Sequence, residues 1–262
     1  MRPVVAFLTD FGTRDHYAGV MKGVVLSICP DATVVDVTHD LPAHDVTAAA
    51  YELAATYRYF PSGTIFVAVV DPGVGSSRRG LAVEAGDWKF IAPDNGVLTM
   101  VLQETPAKKA VELTERRYAR PTISRTFEGR DRFAPAAAWL GKGISITALG
   151  RPAHDLVQLD LPALEELRNE ITGAVVRVDR FGNAVTNIDR KTFERLAAGR
   201  TVIVEAAGRP IERLVATYSE IGPREVCALF GSTEHLELAA QSGSAAEQLG
   251  IAFGGTVRVI RA

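Results

Sequence analysis

The chain has 262 residues, 29 Lys and Arg against 31 Asp and Glu, a formal net charge of −2 and an apolar share of 47%. That balance describes a soluble globular protein with core enough for one large domain or two smaller ones, and it excludes a basic nucleic-acid binder or a polybasic membrane-surface protein. No apolar run approaches the roughly 18 residues of a membrane span, and Cys29 and Cys227, far apart and without a CxxC spacing, read as buried, reduced thiols of a cytoplasmic protein.

The N-terminal MRPVVAFLTDFG reads as a first strand, Val4 to Asp10, and lacks the charged start, long apolar centre and small-residue cleavage site of a signal peptide. A helix follows from His16 to Cys29, a strand from Thr33 to His39, and an Ala- and Leu-rich helix from Asp45 to Phe60. Further strands are expected at Thr64–Asp71, Leu81–Ala85 and Phe90–Ala92, with a later helix starting near Arg132. Near-continuous apolar strands alternating with helices predict a layered α/β domain with a mostly parallel sheet. After about Leu161 the pattern changes. LPALEELRNEI is a short connector, and TGAVVRVDRFGNAVTNI, RTVIVEAAG, ERLVATY, EVCALFG and GTVRVIRA alternate as strands. These predict a small all-β domain, barrel-like or a sandwich, with domains at 1–164 and 165–262.

In open α/β sheets, ligands collect at the carboxyl ends of the strands. Three strands here end in polar residues: Thr9-Asp10-Phe11-Gly12, Asp71-Pro72-Gly73 and Pro93-Asp94-Asn95-Gly96. If the sheet is parallel, these ends converge on one crevice. Asp10 reads equally as the N-cap of the next helix, and Asp94-Asn95-Gly96 as a turn. Asp71 directly follows the apolar run Phe66 to Val70, so its carboxylate is expected to be partly desolvated and to need a cation, which Arg78 or Arg79 supplies. The glycines of DPGVGSSRRG are not a phosphate loop, since no Gly-Lys-Ser/Thr or helix start follows, and GxGxxG is absent. His16, His39, His44, His154 and His235 show no metal-ligand spacing; a carboxylate site for a hard cation stays open.

Three more stretches carry chemistry. TFEGRDRFAP packs Glu128, Arg130, Asp131 and Arg132 around Gly129, a charge knot that is costly unless paired. DRFGNAVTNI sets Asp179, Asn183 and Asn187 around a Phe-Gly turn. Asn183, with donor and acceptor, suits the edge of a purine, and Phe181 its face. FGSTEHLELAAQSGSAAEQLG offers Ser232 and Thr233.

Together LTDFGTRDHYAGVMKGV, VVDPGVGSSRRG, IAPDNGVL, FEGRDRFAPAAAWL, DRFGNAVTNI and GSTEHLELAAQSGSAAEQLG resemble, in order and over nearly the whole chain, the S-adenosyl-L-methionine (SAM) hydroxide adenosyltransferases. These adenosine-forming SAM hydrolases are relatives of fluorinase and chlorinase. The resemblance implies a layered α/β domain followed by a small β-barrel-like domain. It also implies a homotrimer that binds SAM where the first domain of one subunit meets the second domain of its neighbour.

By motif match, Asp10 corresponds to the acid that holds the ribose hydroxyls. Asp179 and Ser232 correspond to the groups at the methionine end, Asn183 to the adenine contact, and Phe181 lies beside it. Asp71 and Arg78 match two members of an Asp-Arg-His trio around the attacking water. The third position is Glu128, where the family carries His, and Gly129 stands where fluorinase carries Ser. An Asp at position 71, where the halogenases carry Tyr, argues against an incoming halide.

The implied reaction is hydrolysis of SAM to adenosine and L-methionine, with Asp71, Arg78 and Glu128 at the reacting centre and Phe127 walling it. No metal or organic cofactor is expected. The alternative is a non-catalytic or degenerate SAM or adenosine binder, because Glu128 replaces the His.

Overall fold

The computed structural model describes residues 2–262. The chain divides into two compact units, Met1–Leu159 and Asp160–Ala262, each with its own core.

The first unit alternates β1 (Val4–Thr9), α1 (Tyr17–Ile28), β2 (Thr33–Thr38), α2 (Val46–Thr56) and β3 (Ile65–Val69). It continues through β4 (Gly80–Ala85), β5 (Trp88–Pro93), α3 (Thr99–Glu104), β6 (Ala107–Leu113), α4 (Ala134–Gly141) and β7 (Gly150–Pro152). Among the described residues its strands form one seven-stranded sheet in the order β2-β1-β3-β5-β4-β6-β7. The pairs β2·β1, β1·β3 and β3·β5 are parallel, while β5·β4, β4·β6 and β6·β7 are antiparallel. Thus β2, β1, β3, β5 and β6 point one way and only β4 and β7 run back.

The apolar runs are continuous because both sheet faces are covered. Val5, Phe7, Val67, Val69 and Ile91 pack with Met21 and Val25 of α1 and with Ala134, Ala137 and Leu140 near α4. Their neighbours Ala6, Leu8, Phe66, Ala68 and Phe90 face Ala49 and Leu53 of α2 and Val101 of α3. This is the period-two alternation of a strand with two apolar faces.

Asp45 caps α2 by accepting from the Ala48 N–H, as its place before an apolar helix leads one to expect. Asp10 caps nothing. The residue before α1 is His16, and the Asp10 carboxylate instead accepts from the His44 N–H at 2.8 Å.

The second unit holds β8 (Glu165–Leu167), β9 (Glu170–Val178), β10 (Ala184–Asp189), α5 (Arg190–Ala197) and β11 (Val202–Ala206). β12 (Arg209–Ile211), β13 (Val226–Phe230), β14 (His235–Ala240), α6 (Ala245–Leu249) and β15 (Thr256–Arg261) complete it. Its strands are joined by antiparallel ladders in the order β12-β11-β15-β9-β10-β14-β13, with β8 also on β9, and form a barrel-like sheet. Two short helices interrupt the strand pattern. Asp189 caps α5, whose Phe193 and Leu196 enter the core, and Ser244 caps α6, which buries Ala245 and Ala246. Asn187 works as a staple here: its amide accepts from the Ala174 N–H at 2.8 Å and donates to the Pro162 carbonyl at 2.9 Å. Cys29 and Cys227 are both free and buried. Among the described residues no helix is long and apolar enough to cross a membrane.

Candidate functional site

β1, β3 and β5 are adjacent and parallel, with Thr9 opposite Val69 and Val67 opposite Ile91. Asp10, Asp71 and Asp94 therefore leave the sheet at the same edge, as three polar strand ends in a parallel arrangement require. Each then takes a different partner.

Asp71 receives Arg78. The guanidinium Nε donates to Asp71 Oδ1 at 2.9 Å and Nη2 donates to Oδ2, a two-point carboxylate clamp. The side chains are 5% and 10% exposed, so the pair is largely desolvated. The intervening loop brings Arg78 back. Gly75 adopts φ +78°, and a Cβ there would overlap the Arg125 carbonyl oxygen, so only glycine fits. Gly80 leaves room for the Phe133 ring, which would stand 2.7 Å from a Cβ at that position. The same ring lies 5.4 Å under the Arg78 guanidinium.

Arg79 turns the other way. Its Nε donates to Asp94 Oδ2 at 2.7 Å, and its two terminal nitrogens donate to the His154 and Asp155 carbonyls at 2.9 and 3.0 Å. Asp94 also accepts from the Val157 N–H, and the Asn95 amide donates to the Val70 carbonyl. Asp94 and Arg79 thus fasten the loop after β7 to the strand ends, and Asn95 ties the end of β5 to that of β3.

Glu128 completes a four-charge cluster. Its Oε2 lies 2.7 Å from Arg78 Nη2 but off the N–H direction, so it accepts no hydrogen bond and the contact is one of charge. Its Oε1 accepts a long bond from Arg132 Nη1 at 3.3 Å, and Arg132 Nη2 donates to the Leu113 carbonyl at 2.9 Å. Two carboxylates and two guanidiniums therefore balance. Burial works to lower the pKa of Arg78, but the hydrogen bonds from Arg78 to Asp71 and the charges of Asp71 and Glu128 outweigh it and hold the group protonated.

Phe127, beside Glu128, is 8% exposed and meets Tyr17 and Phe11 edge-on at 5.1 and 6.1 Å, with the Arg130 guanidinium 5.1 Å from its ring. These rings join the Asp10-Phe11 turn to the Glu128 segment. Gly129–Phe133 forms a wide π-helical turn before α4, an irregularity that recurs at functional sites.

The rest of the charge knot is satisfied. Fully buried Asp131 takes two bonds from Arg130, at 2.7 and 2.8 Å, and one from the Ser124 N–H at 2.8 Å, with Arg120 3.6 Å away. Burial pushes its pKa up, but the Arg130 and Ser124 hydrogen bonds and the two arginine charges outweigh it and hold the carboxyl below its ordinary value. A depressed carboxyl pKa stabilises above the unfolded value of about 3.9 and loses that contribution as pH falls through the folded value. Asp131→Asn is accordingly expected to cost about 2–3 kcal/mol at pH 7, with the gap to wild type closing below about pH 4. Urea unfolding at pH 7 and pH 3 checks this; an equal gap at both would contradict it.

In the second unit, Asp179 Oδ1 accepts from the Phe181 and Asn183 N–H groups at 2.8 and 2.9 Å, and Oδ2 accepts from the Asn183 amide at 2.9 Å. Asp179 therefore closes the Phe-Gly turn, leaving Phe181 77% exposed and Asn183 buried with its amide NH2 turned to the acid. Ser232 is exposed in the turn between β13 and β14. The Glu237 carboxylate of β14, 8% exposed, lies against the neighbouring Gly231. Its pKa is raised by burial and by the charge of Asp179, with a 3.4 Å bond from the Tyr218 hydroxyl.

Arg132 was legible from its i,i+4 spacing to Glu128. Tyr17 and Phe11 carried no signal beyond apolar character. Among the described residues no group of three or more His, Cys, Asp or Glu is arranged to hold a metal ion.

Residues 5–150 match the model of the SAM hydroxide adenosyltransferase N-terminal domain, and residues 173–258 that of the C-terminal domain. An (R)-S-adenosyl-L-methionine hydrolase of Thermus thermophilus is 39% identical over 99% of this chain and 100% of its own length. One of Salinispora tropica is 36% identical over 98% and 97%. A fluorinase of Actinopolyspora mzabensis is 30% identical over 99% and 98%. The crystal structure of an uncharacterized conserved protein from Thermotoga maritima superposes with a TM-score of 0.92 at 32% identity, covering 98% of this chain and 100% of that one. With both domain models matched in order and similarity running end to end, the chain belongs to the SAM hydroxide adenosyltransferase family.

Proposed function

We propose that this enzyme hydrolyses SAM to adenosine and L-methionine by attack of water at the ribose C5′. The observation that carries the reading is the buried Asp71–Arg78 pair at the end of β3, in a chain similar over its full length to SAM hydrolases. The water oxygen forms the new bond to C5′ while the C5′–S bond breaks. Its electron pair goes to sulfur, which leaves as a neutral thioether needing no proton. One water proton is released, so one SAM and one water give adenosine, methionine and H⁺.

Water is a poor nucleophile and gains from being held in line with the leaving sulfur. A guanidinium has five N–H donors, and Asp71 engages two nitrogens of Arg78, which leaves donors to hold a hydroxide-like oxygen. Asp71 fixes the guanidinium and accepts or orients the water proton. Glu128, neutralised by Arg78 and Arg132, takes the place of the family His as a carboxylate in a balanced cluster. An uncompensated negative charge does not arise, and this supports turnover over a binding-only role. Phe127 walls the centre. The chemistry asks for no metal or organic cofactor, since the sulfonium is its own activated leaving group.

Asp10 is assigned to the ribose diol, Asp179 and Ser232 to the methionine end, and Asn183 with Phe181 to adenine. The same proposal includes a cytoplasmic homotrimer that places SAM between the N-terminal part of one subunit and the C-terminal part of its neighbour, consistent with polar clusters in both halves. Light scattering of the purified protein tests the trimer.

Incubation with SAM in halide-free buffer is expected to give equal amounts of adenosine and methionine by liquid chromatography. SAM that binds by calorimetry yet yields no adenosine would replace the enzyme with a binder. Asp10→Ala is expected to raise KM for SAM by about tenfold or more, the scale of losing hydrogen bonds to a charged group, with a smaller change in kcat.

A further inference from the structure

Asp10 presents one oxygen, Oδ1, to a ligand because the other, Oδ2, is occupied by the His44 N–H. Holding a diol on a carboxylate depends on where the turn after β1 places that carboxylate. An ångström of drift loses it. What holds the turn is a chain of hydrogen bonds running away from the ligand edge, buried at Thr9 and His39 and reaching solvent at Asp36 and Lys22.

Thr9, the last residue of β1, is fully buried, and its Oγ1 accepts from the Phe11 N–H at 3.2 Å. The same Oγ1 is 2.8 Å from Nδ1 of His39, which is 4% exposed. His39 Nε2 is 3.0 Å from Asp36 Oδ1, and Asp36 Oδ2 accepts from Lys22 Nζ at 2.6 Å. The His39 carbonyl accepts from the Gly12 N–H at 2.7 Å. A neutral imidazole satisfies every partner at once: the Thr9 hydroxyl donates to Nδ1, and Nε2–H donates to the Asp36 carboxylate. Burial pushes the Asp36 pKa up, but bonds from Lys22 and His39 outweigh it and keep the acceptor ionised. His39 thus grips the segment from Thr9 to Gly12 at two points, once through Thr9 and once through its own carbonyl. Asp10 lies between them.

We propose that His39 is a positioning residue for SAM: through Thr9 it sets the turn that presents Asp10 to the ribose. The inference rests on the assignment of Asp10 to the ribose diol. Thr9 is fully buried and His39 is 4% exposed, so both act through the turn, and their removal is expected to affect binding more than the chemical step.

The test is steady-state kinetics with SAM, paired with calorimetric Kd and with melting temperature, on Thr9→Val, Thr9→Ser, His39→Asn, His39→Gln and Asp10→Ala. Thr9→Val keeps the shape of the side chain and removes the hydroxyl. It is expected to raise KM and Kd about tenfold with kcat within about twofold, and Thr9→Ser to restore both. His39→Asn, whose amide reaches the Nδ1 position, is expected to bind SAM more nearly as wild type than His39→Gln, which reaches only the Nε2 position. A folded Thr9→Val with wild-type KM, beside an Asp10→Ala with raised KM, overturns the positioning role alone. A lowered melting temperature with unchanged KM and Kd also overturns it, leaving a purely structural chain. If Asp10→Ala binds SAM as wild type does, the ribose assignment fails and the inference falls with it.

Discussion

Asp71→Asn is expected to lower kcat for adenosine formation by about 10²–10⁴-fold, the range of a positioned acid–base group, while SAM binding stays within a few-fold of wild type. The asparagine has nearly the same shape, so the loop from Pro72 to Arg79 has no steric reason to move. What changes is chemical. The carboxylate accepts from Arg78 Nε and Nη2 together, whereas an amide offers one acceptor and turns an NH2 toward a donor. The guanidinium loses its fixed orientation, and the water loses its proton acceptor. Binding is spared because the contacts assigned to adenine, ribose and the methionine end lie on other residues. Single-turnover formation of adenosine, alongside calorimetric titration with SAM, separates the two effects. Unchanged turnover would remove Asp71 from the mechanism.

Arg78→Met is expected to destabilise the first unit by about 3–5 kcal/mol, because it removes the one cation shared by two buried carboxylates. At about 2–4 °C per kcal/mol for a unit of this size, the melting transition drops by roughly 6–20 °C. Methionine fills much of the space above the Phe133 ring, so the loss is electrostatic more than one of packing. Arg132 compensates Glu128 in part through its 3.3 Å bond, but among the described residues Asp71 has no second cation as a hydrogen-bond partner. Differential scanning calorimetry measures the shift. A variant melting within about 2 °C of wild type would mean that the pair is solvated and the argument from burial is wrong. Adenosine formation is expected to be lost as well, since the oxygen nucleophile loses its donors.

The strand ends were legible at residue level because apolar runs stop abruptly at Asp10, Asp71 and Asp94. Their convergence depended on the strands being parallel neighbours, and β1, β3 and β5 are. The weaker elements escaped. β6 begins Ala-Lys-Lys at exposed positions and carries little apolar signal until Val111, and α3 is a six-residue helix. α5 was hidden in a run of strands, although Asp189 before an amphipathic RKTFERLA is a readable helix start. Asp10 as a helix cap was a fair local reading. It failed because α1 begins seven residues later and the carboxylate turned instead to the His44 amide.

The amino-acid sequence by itself determined the layered α/β half, the β-rich second half, the desolvated Asp71 with an arginine returning over a glycine loop, and, through its motifs, the family. The first three follow from local composition and spacing, which act over a turn or a strand, while the family rests on the resemblance of its motifs. Only the tertiary structure decided that Arg78 takes Asp71 while Arg79 takes Asp94, since consecutive residues of an extended segment point to opposite sides. It alone decided that Glu128 is balanced by two guanidiniums. It alone joined Thr9 to His39, residues 30 apart in the chain, because β1 and β2 lie side by side. Such pairings depend on strand order and register, which the packing of the whole unit sets and no local stretch encodes.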